Sequence, residues 1–223
     1  MKIFVDSANF AELEEALKRG FPSGITTNPA IMAQEKKGSF EKHIRRIIEL
    51  IKTHGYDLPL SVEVFTKDPD AMIRQAQEFI RHFGDYQNLY IKVPIGWDEL
   101  KVIHALKKEG VKINCTCCMS MNQALMAAAA GADFVSVFWG RIRDTGYDAA
   151  DVVRKTAEVF HRSGTPSELV VGSIRHIADV NEAFTAGADI VTVPPRFFKA
   201  FCSHPKTDEA VDQFLREFQA WQE

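Results

Sequence analysis

Short β-branched runs alternate with amphipathic stretches from one end of the chain to the other. The runs Lys2–Asp6, Gly24–Asn28, Leu60–Val64, Leu89–Pro94, Lys112–Cys118, Phe134–Trp139, Glu168–Ser173 and Asp189–Pro194 are nearly continuous in apolar residues. That is the pattern of parallel strands covered on both faces. Between them, apolar residues recur at helical spacing over Ala11–Arg19, Phe40–Thr53, Ala71–Phe83, Asp98–Lys108, Met121–Ala130, Ala149–Ser163 and Ile177–Ala186. Local chemistry supports several helix ends. Asp68-Pro69 supplies an N-cap and a proline at the first helical position, and Ser120 to Gln123 has capping-box spacing. Gly110, Gly131 and Gly187 follow three helices where a left-handed cap is expected.

Eight such units predict an α/β fold, a single-domain (β/α)8 TIM barrel. An internal echo supports it: Gly131-Ala132-Asp133-Phe134-Val135-Ser136-Val137 parallels Gly187-Ala188-Asp189-Ile190-Val191-Thr192-Val193. A doubly wound open sheet is the alternative, but the turn after strand one, Asp6-Ser7-Ala8-Asn9, lacks the glycines of a phosphate loop. From Asp208 one more helix is predicted, with Val211, Phe214, Leu215, Phe218 and Trp221 at three- and four-residue steps. This stripe is surplus to closing eight units. The expected organisation is a barrel over 1–206 and a C-terminal helix over 207–223 that packs on its own barrel or on another subunit.

Composition narrows the function classes. The 223 residues carry 27 Lys+Arg against 30 Asp+Glu, a net charge of −3, so nucleic acid and anionic membrane are poor partners. No apolar stretch reaches the length of a spanning helix. An acid already at position six is too early for a signal peptide, so the chain is expected in the cytoplasm with its cysteines as thiols.

Buried parallel strands should be almost purely apolar, which makes their polar residues informative. These sit at or near the C-terminal ends: Asp6, Thr26, Asn28, Glu63, Lys92, Asn114, Thr116, Ser136 and Ser173. Thr26 and Asn28 are two apart, as are Asn114 and Thr116, so each pair is expected on one strand face. Barrel closure would gather all of them at the mouth where such folds keep their active sites. Lys92 is the only charge in its strand. A lysine in a partly dry site loses stability as a cation, and its neutral amine can attack a carbonyl to form a Schiff base. The plainer alternative is a structural ion pair with Glu63. Glu63 and Asp6 are the available proton shuttles, and Asn114 with Thr116 can hold a water or hydroxyl. Arg141 and Arg175 follow two strand tops and, with Ser173, could clamp a phosphate.

Other motifs carry less. The C-x-x-C spacing of Cys115 and Cys118 lies inside a strand, not at the helix start that redox chemistry uses. Asn114-Cys115-Thr116 fits a glycosylation pattern but also lies in a strand. No His-x-x-x-His pair marks a metal site, and none is expected.

At these residues the chain resembles the small, single-domain transaldolases and their relatives, the fructose-6-phosphate aldolases. The matching segments are Phe4-Val5-Asp6, Gly24 to Pro29 (Gly-Ile-Thr-Thr-Asn-Pro), Ser61 to Val64, Ile91-Lys92-Val93-Pro94, Asn114-Cys115-Thr116, Asn122 to Leu125, Gly140-Arg141-Ile142 and His204 to Glu209. The resemblance implies Lys92 as the Schiff-base lysine, Asp6 as the acid/base on the C4 hydroxyl, and Glu63 with Thr116 as holders of the catalytic water. It implies Asn28 and Asn114 as contacts to the dihydroxyacetone portion, and Ser136, Arg141, Ser173 and Arg175 as substrate and phosphate contacts. Thr26 is a further candidate substrate contact, although a strand threonine can equally bond only the backbone. The reaction implied moves a dihydroxyacetone unit between sugar phosphates, with no metal or organic cofactor. The aldolase branch typically has Gln in place of Glu63 and Tyr in place of Phe138, so both residues point to the transferase. An aldolase-like lyase is the first alternative, and a non-catalytic sugar-phosphate-binding barrel the second. The resemblance also implies a homo-oligomer, a pentamer or decamer joined through the C-terminal helix. The chain departs from the family pattern at Ile95-Gly96-Trp97, Cys118, Met119 and Val137. It departs again where Trp139 replaces a small aliphatic residue and Arg143 an acid, both beside the expected phosphate clamp.

Overall fold

In the computed structural model, which describes residues 1–222, eight parallel strands close into a barrel in chain order. They are β1 (Lys2–Asp6), β2 (Gly24–Thr26), β3 (Leu60–Glu63), β4 (Leu89–Pro94), β5 (Ile113–Cys118), β6 (Phe134–Phe138), β7 (Glu168–Gly172) and β8 (Ile190–Val193), with β8 pairing back onto β1. The helices are α1 (Phe10–Lys18), α2 (Pro29–Met32), α3 (Phe40–Thr53), α4 (Pro69–Phe83), α5 (Glu99–Lys108), α6 (Met121–Ala129), α7 (Trp139–Asp144), α8 (Ala149–Ser163), α9 (Ile177–Thr185), α10 (Phe198–Phe201) and α11 (Pro205–Gln222). A 3₁₀ turn over Pro195–Phe197 leads into α10.

Strand alternation sorts the core into two parts. Outward residues such as Val5, Ile25, Val62, Ile91, Val93, Val135, Leu169 and Val191 are fully buried in one apolar layer shared with the helices. Inside the barrel, Phe4, Phe134, Val170 and Ile190 form a separate plug with Tyr90 packed against it. The Tyr90 and Phe134 rings stack with centroids 4.3 Å apart. Gly24 makes the plug possible: a Cβ there would lie 2.5 Å from the Phe4 ring. Two residues further along the same strands, on the same inward face, come Asp6, Thr26, Lys92, Ser136, Gly172 and Thr192. The plug is therefore the floor of the site.

Predicted caps take their places. The Asp68 side chain accepts from the Ala71 N–H at 2.7 Å. Ser120 accepts from the Gln123 N–H at 3.3 Å, while the Gln123 side chain accepts from Met119 N–H at 2.7 Å, one residue before the cap. Gly110, Gly131 and Gly187 all have positive φ. Several boundaries differ from the sequence reading by one to three residues, and three of the differences bear on the site or the assembly. β2 stops at Thr26, and Asn28 is the N-cap of α2, accepting from the Ile31 N–H at 3.0 Å. Thr26 and Asn28 therefore do not share a strand face. β6 ends at Phe138, and Trp139 opens α7 instead of continuing the strand. The last helix starts at Pro205, ahead of the expected boundary.

α11 buries none of its residues against the barrel. Val211, Phe214, Leu215, Phe218 and Trp221 stay between 49% and 79% exposed. Of the two expected packings, the one on its own chain is thus not made. Among the described residues no helix is long and apolar enough to cross a membrane.

Candidate active site

The mouth of the barrel holds a cavity of about 360 Å³ lined by Asp6, Thr26, Asn28, Glu63, Lys92, Ser136, Phe138, Arg141 and Ser173, together with Pro29, Ala30, Ile31, Cys117, Gly172 and Thr192. Nine of the twelve residues expected in the site are thus on its wall. Lys92 is 4% exposed, and neighbouring strands register Glu63 and Asn114 directly beside it. Its Nζ donates to the Thr27 carbonyl at 3.0 Å and pairs with Glu63 Oε2 at 3.2 Å. The pairing foreseen as the plainer alternative exists. It also makes Glu63 the nearest group to which the ammonium can pass a proton.

Asp6 lines the same cavity from β1. Burial among the strand tops pushes its carboxyl up from the ordinary value of 3.8, against the Lys92 ammonium and the Thr26 hydroxyl, which pull it down. Thr26 Oγ1 donates to Asp6 Oδ1 at 2.8 Å and lies 2.5 Å from Thr192 Oγ1. A hydroxyl has one proton to give, so with Asp6 ionised Thr192 must donate to Thr26. Asp6 thus stands at the end of a short hydroxyl chain that fixes its orientation.

Asn114 and Thr116 lie behind this surface and are fully buried. Asn114 Nδ2 donates to Ser61 Oγ at 3.0 Å, and Ser136 Oγ donates to Asn114 Oδ1 at 2.7 Å. This belt ties β3, β5 and β6 together beside the lysine. Thr116 Oγ1 is buried with no hydrogen-bond partner among the described residues. Buried hydroxyls are normally satisfied, so this one is open to a bound water.

The expected phosphate clamp divides in two. Arg141, on α7, lines the cavity with its guanidinium 6.0 Å from the Phe138 ring centre. Arg175 does not line it: its guanidinium is engaged by both carboxylate oxygens of Asp144, and that contact holds the Asp144 carboxyl below its usual range. Ser173 stands on the wall with φ +60°, a left-handed backbone rarely held by a non-glycine residue. Gly140 explains the closeness of that turn to α7. Its N–H donates to the Ser173 carbonyl at 3.1 Å, and a Cβ at this position would sit 2.5 Å from that oxygen.

The sequence reading missed Ser61, Thr192 and Cys117. Thr192 had a signal, because the internal echo aligns it with Ser136. Ser61 shares the parity of Glu63. Cys117 had none: β5 breaks register between Cys115 and Cys118, and Cys117 takes φ 63°, which turns it to the cavity. Burial and then Glu63 push its thiol up, so it stays protonated. All four cysteines are free.

Comparison with known proteins meets this geometry from outside. The family model Transaldolase/Fructose-6-phosphate aldolase matches residues 3–223. The chain is 37% identical to a probable transaldolase of Roseiflexus sp. (strain RS-1) over 223 residues, covering 100% of this chain and 99% of that one. It is 37% identical to a probable transaldolase of Carboxydothermus hydrogenoformans over 220 residues, with 99% of each chain covered. A probable transaldolase of Symbiobacterium thermophilum is 38% identical over 220 residues, covering 99% of this chain and 98% of its own. With the match running the length of the barrel, the chain belongs to the transaldolase/fructose-6-phosphate aldolase family of enzymes.

Proposed function

We propose that the protein is a transaldolase that carries a dihydroxyacetone unit from sedoheptulose 7-phosphate to glyceraldehyde 3-phosphate, leaving erythrose 4-phosphate and forming fructose 6-phosphate. The observation that carries this reading is one buried lysine at a barrel mouth, flanked by two carboxylates of different environment. Lys92 passes a proton to Glu63 and attacks the ketose carbonyl carbon. Hydroxide departs as water, protonated through a water held by Glu63 and Thr116, and a Schiff base remains. Asp6 takes the C4 hydroxyl proton as the C3–C4 bond breaks. Its raised pKa suits a group that must accept this proton and return it. The enamine on Lys92 then adds to the acceptor aldehyde, Asp6 gives the proton back, and water releases the product. Asn28 and Ser136, the wall residue of the Asn114 belt, hold the dihydroxyacetone hydroxyls. No step calls for a metal or an organic cofactor.

Phe138 supports transfer over lyase chemistry, because it offers no hydroxyl to bring a water to the enamine. The test is product analysis with and without acceptor. Fructose 6-phosphate plus erythrose 4-phosphate should yield sedoheptulose 7-phosphate, with little free dihydroxyacetone when the aldehyde is omitted. Fast release of dihydroxyacetone without acceptor would make the protein a lyase instead.

The position of Arg141 on the cavity wall supports a contact with the phosphate of the sugar tail. Arg141→Ala is expected to lower kcat/KM for fructose 6-phosphate about tenfold to a hundredfold, the worth of one charge-assisted contact, and to leave fructose nearly unaffected. Arg175→Ala should cost less, because Asp144 already occupies that guanidinium. Equal losses on both donors would remove Arg141 from the phosphate.

The same reading extends to assembly and location. The exposed stripe of α11 supports a homo-oligomer in which this helix docks on a neighbouring copy, since an uncovered apolar stripe is an association surface. Light scattering should show a ring-sized assembly for the full chain and loss of it for a chain ending at Lys206. A monomeric full chain would contradict this. Four unpaired thiols suit the cytoplasm.

A further inference from the structure

The two departures beside the phosphate side, Trp139 and Arg143, converge on one buried carboxylate. Asp179, on α9 and 1% exposed, accepts from Trp139 Nε1 at 3.2 Å and from Arg143 Nη1 at 2.7 Å on one oxygen. Its other oxygen accepts from the backbone N–H groups of Arg175 and His176, both at 2.9 Å. All four donors come from the two segments that carry the anion-facing residues. On α7, residues 139 and 143 are one turn apart and share a face, whereas Arg141 lies midway in sequence and hence on the opposite side of the helix. Clamping the first pair to Asp179 therefore turns Arg141 to the cavity. The backbone bonds hold the turn that follows Ser173, which itself sits in a left-handed conformation and receives the Gly140 N–H.

We infer that Asp179 is a positioning residue for recognition of the substrate phosphate: it locks α7 to the turn between β7 and α9 so that Arg141 and Ser173 face one anion. It touches no substrate itself. The inference rests on the proposed reading of the cavity as a sugar-phosphate site and adds to it the device that sets the arginine. Trp139 and Arg143 then belong with Asp179 as one unit, not as separate changes in the cavity wall.

The test is Asp179→Asn. An amide has one acceptor oxygen, so it either keeps the backbone N–H groups and presents NH₂ to Trp139 and Arg143, or the reverse. Both orientations cut the link between the two segments. KM for fructose 6-phosphate should rise about tenfold with kcat within about twofold, while the constants for fructose stay where they are. Arg143→Ala serves as the second variant, since Asp179 keeps three other donors, Trp139 Nε1 and the backbone N–H groups of Arg175 and His176. It should move the same KM in the same direction by about twofold to threefold. Equal losses on both donors, or an unchanged fructose 6-phosphate KM in both variants, would overturn the inference. A wild type indifferent to the phosphate would instead overturn the reading beneath it, and Schiff-base trapping with fructose would still report on Lys92.

Discussion

Lys92→Met is expected to bring turnover down on the order of 10⁴-fold or more, to the level of background, because it removes the atom proposed to form the covalent bond to substrate. Methionine keeps the length and apolar volume of the lysine stem, so the packing above the Tyr90 and Phe134 floor is retained. What changes is electrostatic. Glu63 loses its 3.2 Å partner, and Asp6 loses a cation that pulls its carboxyl down, so the Asp6 pKa climbs further. Breaking a buried pair costs about 3–5 kcal/mol when the remaining charge is trapped. Glu63 opens on the cavity, where water can reach its freed oxygen, which places the expected cost at the low end. A thermal melt showing a folded Lys92→Met chain, beside a turnover assay showing none, is the required pair of results. Substantial activity in a folded variant would move the chemistry to another residue.

Asp6→Asn separates the steps. In the proposed mechanism imine formation does not need Asp6, whereas cleavage of the C3–C4 bond needs a base for the C4 hydroxyl. The variant should lose about 10²–10⁴ in kcat. Borohydride should then trap the whole ketose in place of the three-carbon unit. The pH dependence has a definite sign. A carboxyl raised in the folded state binds its proton more tightly there than in the unfolded chain. Its ionised form therefore costs stability at neutral pH, and this cost fades as pH falls through the raised value. Asp6→Asn should melt above the wild type near neutrality, with the gap closing in acid. Wild-type donor cleavage should show an acid limb above the ordinary carboxylate range, and the Asn variant should lack that limb. A variant that melts lower at every pH, or that keeps the limb, would contradict the role given to Asp6.

Much of this was legible in the strands. A continuous apolar run with a polar residue at its upper end needs an explanation, and in eight parallel strands only convergence at the mouth supplies one. Lys92, Asp6, Glu63 and Ser136 follow from that argument alone. Thr192 was missed, although the echo with Ser136 held the signal for it. What stayed hidden depended on events that alternation cannot express. The switch from strand to short helix at Asn28 and Trp139 redirects side chains within one or two residues. The left-handed backbone at Cys117 puts a residue within a predicted strand onto the cavity wall. Arg175 and Arg141 look alike in sequence, each following a strand top. Only the placement of Asp144 from another segment takes one of them away from the cavity. Asp179 reads as an acid in the first turn of a helix, a common capping position, and nothing local reveals that its second oxygen reaches Trp139 and Arg143.

The central claim is a covalent intermediate on Lys92, and intact mass with peptide mapping after borohydride treatment tests it most directly. Wild-type protein incubated with fructose 6-phosphate and then reduced should gain one dihydroxyacetone-sized group per chain, located on the peptide that contains Lys92. A chain that gains no mass, or that carries the group on any other lysine, would contradict the account.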